Sequence, residues 1–247
     1  MSKNDLPEWE QVLSSAAHLQ QILPDAVLVG GTAAAAHARH RLSRDADHVL
    51  DDLRTRFDEV QAELESVAGW ETARVKRPVM IVGSLDGIET GIRQMIRREP
   101  LETMQMDHLG QTITLPTEPE MLRIKAALIL KRNATRDYLD YAALADRLGD
   151  KATSRALERL DELYPQPNGE SPLQQLQVQL SNPLPYDLEQ TNLAEYKNLN
   201  PKWCDWNQVK ETCGRSATAV FDQVSEWKLE HEHKRERQRD RSEERER

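Results

Sequence analysis

The run Ala26-Val-Leu-Val-Gly-Gly-Thr, continued by the alanine-rich residues Ala33 to Arg39, constrains the fold more than any other part of the chain. Ala26 to Val29 reads as a short buried strand, the paired glycines break it, and the alanines that follow suit a closely packed helix. A strand, a glycine turn and a helix in that order offer the unpaired amides at the helix start to an anion, and they let a phosphate approach the backbone closely. Thirteen residues beyond Thr32 come Asp45-Ala46-Asp47, with Ser43 just before them, in a segment, Asp45 to Leu50, that reads as a second strand. Residues i and i+2 of a strand share a face, so these two carboxylates project together from backbone positions about 6 to 7 Å apart. Paired carboxylates of this kind share divalent metals in phosphoryl and nucleotidyl transfer, and an all-oxygen donor set suits magnesium, with manganese as the alternative.

The remaining pattern alternates before residue 117 and is helical after it. Leu6 to Leu23 and Asp51 to Ala68 have amphipathic helical spacing, Val79 to Val82 and Ile88 to Met95 read as strands around a turn at Leu85-Asp86-Gly87, and Ile113 to Leu115 as one more strand. Thr117-Glu-Pro-Glu opens a helix reaching Leu130, Asn133-Ala134-Thr135 marks a break, and Arg136 to Leu148 closes on Gly149. Helices are further expected at 152–163, 173–180 and 207–229, with 165–172 as a linker. The charged stretch 234–247 has nothing to bury and is expected to be disordered or a solvated helical extension.

Composition narrows the function classes. The chain has 247 residues, 38% hydrophobic and 30% charged, with no apolar run approaching the roughly 20 residues a bilayer span requires. The start, Met-Ser-Lys-Asn-Asp-Leu-Pro, lacks the apolar core of a secretory signal, so a cytoplasmic protein is expected. Cys204 and Cys213 have neither zinc-site spacing nor a disulfide framework around them. Residues 1–233 hold 26 basic and 37 acidic residues, so any nucleic-acid contact must be local. Two local basic stretches exist, Arg74 to Arg98 and Arg123 to Arg136, and no acidic residue lies between Met121 and Arg136. His37, His40 and His48 do not have the spacing of a metal cage, and local packing is the plainer reading of them.

Leu28-Val-Gly-Gly-Thr-Ala with His40-Arg-Leu-Ser-Arg-Asp-Ala-Asp resembles the opening motif of the nucleotidyltransferase superfamily, and more narrowly of the AbiEii/AbiGii toxin family, which includes the MenT-type toxins. Lys125, then Arg132 and Arg136-Asp-Tyr-Leu-Asp140, is similar to that family's later motifs, a helical lysine followed by Arg-Asp-x-x-Asp. The resemblance covers residues 25–148. It implies an α+β fold with a small mixed β-sheet nucleotidyltransferase core flanked by helices; together with the helical pattern and the charge run further on, the chain divides into that core (1–116), a helical part of the catalytic module (117–164), a C-terminal helical region (165–233) and the charged tail (234–247).

It also implies roles. Asp45 and Asp47 would hold magnesium; Gly30, Gly31, Thr32 and Ser43 would cradle phosphates; Lys125, Arg132 and Arg136 would face the nucleotide; and Asp137 would be a later catalytic acid. Glu89 is the candidate for the superfamily's third carboxylate, and is equally readable as an exposed strand residue. On a continuous helix Lys125, Arg132, Arg136 and Asp140 would share a face and Asp137 would lie about 120° away, an arrangement that a break near Asn133 would change. Gly-Gly-Thr stands where many members have Gly-Ser, which displaces the hydroxyl by one position. The implied activity is transfer of a nucleoside monophosphate from an NTP, as a toxin or phage-defence protein, with the 3′ end of tRNA as acceptor and a cognate antitoxin as partner. The alternatives are transfer to a partner protein, here a cognate toxin, or a non-catalytic module that binds a partner through its Trp-containing helical half or its tail.

Overall fold

The computed structural model describes residues 8–222. Helix α1 (Glu8–Ile22) leads into strand β1 (Val27–Leu28), helix α2 (Gly30–Ala38) and strand β2 (Asp45–Leu50). Helix α3 (Phe57–Glu65) and strands β3 (Trp70–Lys76), β4 (Met80–Leu85) and β5 (Ile88–Gln94) complete a five-stranded mixed sheet in the order β1-β2-β5-β4-β3. Only the β2–β5 pair is parallel. Strands β6 (Thr103–His108) and β7 (Gln111–Pro116) form a separate hairpin. The rest is helical: α4 (Glu118–Arg132), α5 (Thr135–Leu148), α6 (Asp150–Leu157), α7 (Leu160–Leu163), α8 (Pro172–Ser181) and α9 (206–222), with short 3₁₀ turns between α8 and α9.

Strand β2 shows why the sheet has a working face and a core face. Its even-numbered residues Ala46, His48 and Leu50 are buried, while Asp45, Asp47 and Val49 are only partly covered, the period-2 alternation of a half-buried strand. On the core side Leu50, Ile81, Leu85 and Ile92 pack with Leu19 of α1, with Leu23 just past its end, and with Phe57, Val60 and Leu64 of α3. A second cluster joins α2 and α4 to Trp203, Val209, Cys213 and Ala217, so the C-terminal helices share the core of the catalytic motifs. Trp203 is buried, and Trp206 meets Tyr138 edge to face at 6.2 Å. These two tryptophans serve as core anchors; Trp227 lies outside the described residues, as does 234–247.

Three local readings change. Helix α2 begins at Gly30 itself, three residues earlier than its alanines suggest. Helix α3 covers only nine residues, because the Asp52 carbonyl accepts the amides of Thr55 and Arg56 in a turn that delays the helix. The third helix expected at 152–163 is two, α6 and α7. Among the described residues no helix is long and apolar enough to cross a membrane.

Candidate active site

The site is built from two sequence-local units that meet in space. In the first, Thr32 at the start of α2 donates its hydroxyl to the Asp45 carbonyl (2.5 Å), and the Val29 amide donates to the Asp47 carbonyl (2.8 Å), tying β1 and α2 to β2. Gly30 has φ +73°, a left-handed conformation that glycine adopts without strain. The N-cap Val29 supplies no side-chain bond, so the first amides of α2 remain open. Ser43 donates to Asp45 Oδ1 at 2.5 Å, which orients that carboxylate.

Register on the neighbouring strand clears space for the second carboxylate. Asp45 pairs with Glu89 and Asp47 with Gly91, so all four positions face the same way. A Cβ at Gly91 would come within 2.4 Å of Asp47 Oδ1, so glycine there is a condition for the observed position of the carboxylate. Arg93 Nε lies 3.5 Å from Asp47 on the far side. Burial, and then the adjacent Asp45 charge, push the Asp47 carboxyl above the usual range, against the pull of Arg93, Arg136 and Lys125.

The second unit comes from the α4–α5 corner. Asn133 adopts the left-handed conformation (φ 44°, ψ 45°) and ends α4, so α5 turns back and brings Asp137 and Asp140 over α4. Lys125, 1% exposed, has its Nζ 2.6 Å from Asp140 and 3.4 Å from Asp137. Arg132 forks onto Asp137. Asp140 also receives Nε and Nη2 of Arg41, at 2.8 and 3.1 Å, and Nε2 of His40 at 2.7 Å. Burial alone would raise the Asp140 carboxyl; the Arg41 and Lys125 charges and His40 outweigh it and hold it well below the normal value. Two carboxylates thus balance Lys125, Arg41 and Arg132 under the site floor.

These units enclose a cavity of about 220 Å³ lined by Gly30, Gly31, Arg41, Ser43, Asp45, Asp47, Lys125, Arg132, Arg136 and Tyr196. Eight of the residues singled out by sequence line it. Thr32 is buried on the β2 backbone, and Asp137 lies beneath, fully buried. Glu89 is exposed beside Asp45 and lines neither this cavity nor its neighbours; among the described residues no group of three or more His, Cys, Asp or Glu is arranged to hold a metal. Arg136 is exposed and makes no ion pair among the described residues.

Arg41 and Tyr196 complete the wall, and neither was among the site residues expected from the sequence. The Arg41 guanidinium sits 5.6 Å from the Tyr196 ring centre, and Tyr196 rides on a strap held by Lys197 O to the Leu42 amide (2.8 Å) and His40 O to the Asn200 amide (2.7 Å). The same strap caps α5, where Asp187 Oδ1 accepts from the Thr135 amide and hydroxyl at 2.7 and 2.8 Å. Arg41 was within reach of sequence reasoning, two residues before Ser43 in the motif; Tyr196 stands out only as one of the aromatics of the Trp-containing half, for which core packing is a plainer reading than base stacking, and the structure puts it in the cavity wall instead.

A small mixed sheet with an Asp-x-Asp strand, flanked by helices, places the chain among nucleotidyltransferase-like folds. The putative nucleotidyltransferase from H. pylori superposes with TM-score 0.52 at 14% identity, over 90% of this chain and 99% of that one. MenT4, a nucleotidyltransferase toxin from Mycobacterium tuberculosis, gives TM-score 0.49 at 14% identity, over 87% and 86%. No protein-family model matches the chain. In sequence it is 30% identical over 132 residues to the heme uptake protein MmpL11 of Mycobacterium tuberculosis, a match covering 52% of this chain and 13% of that protein. The chain therefore spans only a small part of the curated relatives it matches.

Proposed function

We propose that this protein is a magnesium-dependent nucleotidyltransferase of the AbiEii/AbiGii type that moves a nucleoside monophosphate from an NTP to the 3′ end of tRNA, as a toxin or defence protein with a cognate antitoxin. The observation that carries the reading is the convergence of Asp45, Asp47, the open α2 amides and three basic side chains of the second motif on one cavity. Spatial convergence of residues up to about a hundred positions apart is not expected of solvated surface acids and bases.

The donor set fits the metal: Asp45 and Asp47 offer only oxygen, share a face, and Gly91 leaves room for the second carboxylate. Magnesium held there would neutralise phosphate charge and activate the attacking hydroxyl. The protein's own groups do the rest. The amides at Gly30 and Gly31, with the positive end of α2, face the triphosphate. Arg136 supplies an exposed cation without an ion pair among the described residues, while Lys125 and Arg132 are fixed by their carboxylates and give a preorganised positive floor. Attack at the α-phosphorus then needs positioning and charge neutralisation, with no covalent intermediate.

The test is incubation with magnesium, each α-labelled NTP and total cellular RNA, and in parallel total protein, resolved on denaturing gels. Label is expected in the tRNA band and is lost in Asp45→Asn, which remains folded. Label in that variant would refute the site assignment. The absence of a third converging carboxylate among the described residues favours a second reading, a non-catalytic partner-binding module, which an absence of label from both RNA and protein would select.

A further inference from the structure

The cavity does not end at Asp47. On the side away from Ser43 it meets a second slot of about 140 Å³, which shares Gly30, Asp47 and Arg132 with it. The chemistry changes there: Val49, Met95, Ile124, Leu128 and Tyr164 make its walls apolar, with Arg93 and Arg132 at the carboxylate end. Through Ile96, Arg97 and Tyr164 the slot opens into a groove of about 700 Å³ that reaches the surface between Arg98 and Lys131.

The walls are held firmly. Arg97 lies 5.6 Å from the Tyr164 ring centre, and its guanidinium is fixed by Glu120 at 2.7 Å and by the carbonyls of Glu99 and Pro100 at 2.9 and 2.6 Å. The groove carries a small positive excess. Glu162 is occupied by Arg159 at 2.8 Å, while Arg98 and Lys131, exposed and without an ion pair among the described residues, face one exposed carboxylate, Glu99, in the same lining. A net-acidic protein thus keeps two exposed cations against one exposed acid along a channel that leads to its paired carboxylates.

We infer that the slot and groove receive the end of a single-stranded nucleic acid, its terminal base between Leu128 and Tyr164 and its backbone phosphates along Lys131 and Arg98. This rests on the nucleotidyl-transfer reading above. An apolar, aromatic-walled slot suits an unstacked base, and flanking cations suit the phosphates that precede it. A mononucleotide seated by its phosphates on α2 would leave the long groove empty, so the occupant is a polymer. The free sugar hydroxyl of such a chain is at its 3′ end: its oxygen bonds to the α-phosphorus, the bond to the β-phosphate oxygen breaks, pyrophosphate leaves, and the hydroxyl proton passes to water.

The experiment measures fluorescence anisotropy of the full chain with a labelled single-stranded 12-nucleotide RNA and with the same RNA abasic at its 3′ residue, with magnesium and a non-hydrolysable NTP analogue present. Binding of the analogue is measured separately by calorimetry. Losing the terminal base should weaken binding about ten-fold, the scale of one base–aromatic stack. Leu128→Trp, which fills the slot, should abolish that difference with analogue affinity unchanged. Arg98→Glu with Lys131→Glu, both on the surface, should weaken both RNAs alike and flatten the salt dependence by about one unit of slope per contact. Equal binding of the two RNAs to the unaltered protein overturns the inference, as does loss of analogue affinity in Leu128→Trp, which would make the slot the seat of the NTP's own base. Charge reversal without effect overturns it too, in favour of a protein acceptor. Failure of the analogue to bind while the base dependence persists would instead remove the nucleotide reading and leave the slot standing.

Discussion

His48 lies directly behind the paired carboxylates and predicts an acid weakness in the fold. Its side chain is fully buried, Nδ1 donates to the Ala46 carbonyl at 3.1 Å, and Nε2 has no partner among the described residues. Burial lowers its pKa from 6.5 to about 4, so the fold tolerates only the neutral ring. The sign follows from proton uptake: the unfolded chain protonates His48 first, near pH 6.5, so stability is complete above that value and falls with decreasing pH until the folded form titrates near 4. Two and a half units at 1.36 kcal/mol each give a ceiling of about 3 kcal/mol, of which about 2 kcal/mol is lost between pH 7 and pH 5. The perturbation is His48→Leu, which keeps apolar volume and removes the titration. Urea unfolding at pH 7 and pH 5 should show the parent losing about 2 kcal/mol more than the variant. Equal losses would mean that His48 is not buried neutral, and the argument would fail.

Two more predictions probe the site directly. Gly91→Ala should fold yet lower transfer at least about a hundred-fold, because the added methyl displaces Asp47; steady-state labelling beside a circular dichroism melt checks both parts. Asp140→Ala should cost about 3 to 5 kcal/mol in urea unfolding, since it leaves Arg41 buried without its counter-charge and Lys125 with Asp137 alone. A loss under 1 kcal/mol would show that those cations are solvated.

What the sequence revealed follows from where each element's partners lie. Strand β2 was legible residue for residue, because alternation and the carboxylate pair both fall within it. The α4–α5 break was legible from Asn133, and its consequence, Asp137 swung onto Lys125, follows from the corner. Strands β3 and β6 gave no strand pattern: Glu71 to Arg74 and Thr103 to Gln105 are exposed runs in an edge strand and a hairpin, without an alternating apolar face. Their pairing comes from β4 and β7, which no local pattern encodes. Gly91 looked like any strand glycine until the register set it against Asp47. The buried balance of Asp140 against Arg41 and His40 joins residues about a hundred apart, and so lay beyond reading by spacing.

The strap bearing Tyr196 also sets a clock. Asp47 and the wall that completes its cavity are separated by about 150 residues of chain, and synthesis at about 5 to 20 residues per second puts roughly 7 to 30 seconds between them. Through that interval the emerging polypeptide carries the carboxylates and then the lysine, but an unwalled cleft. The finished cavity belongs only to a chain made at least as far as the Asn200 tie.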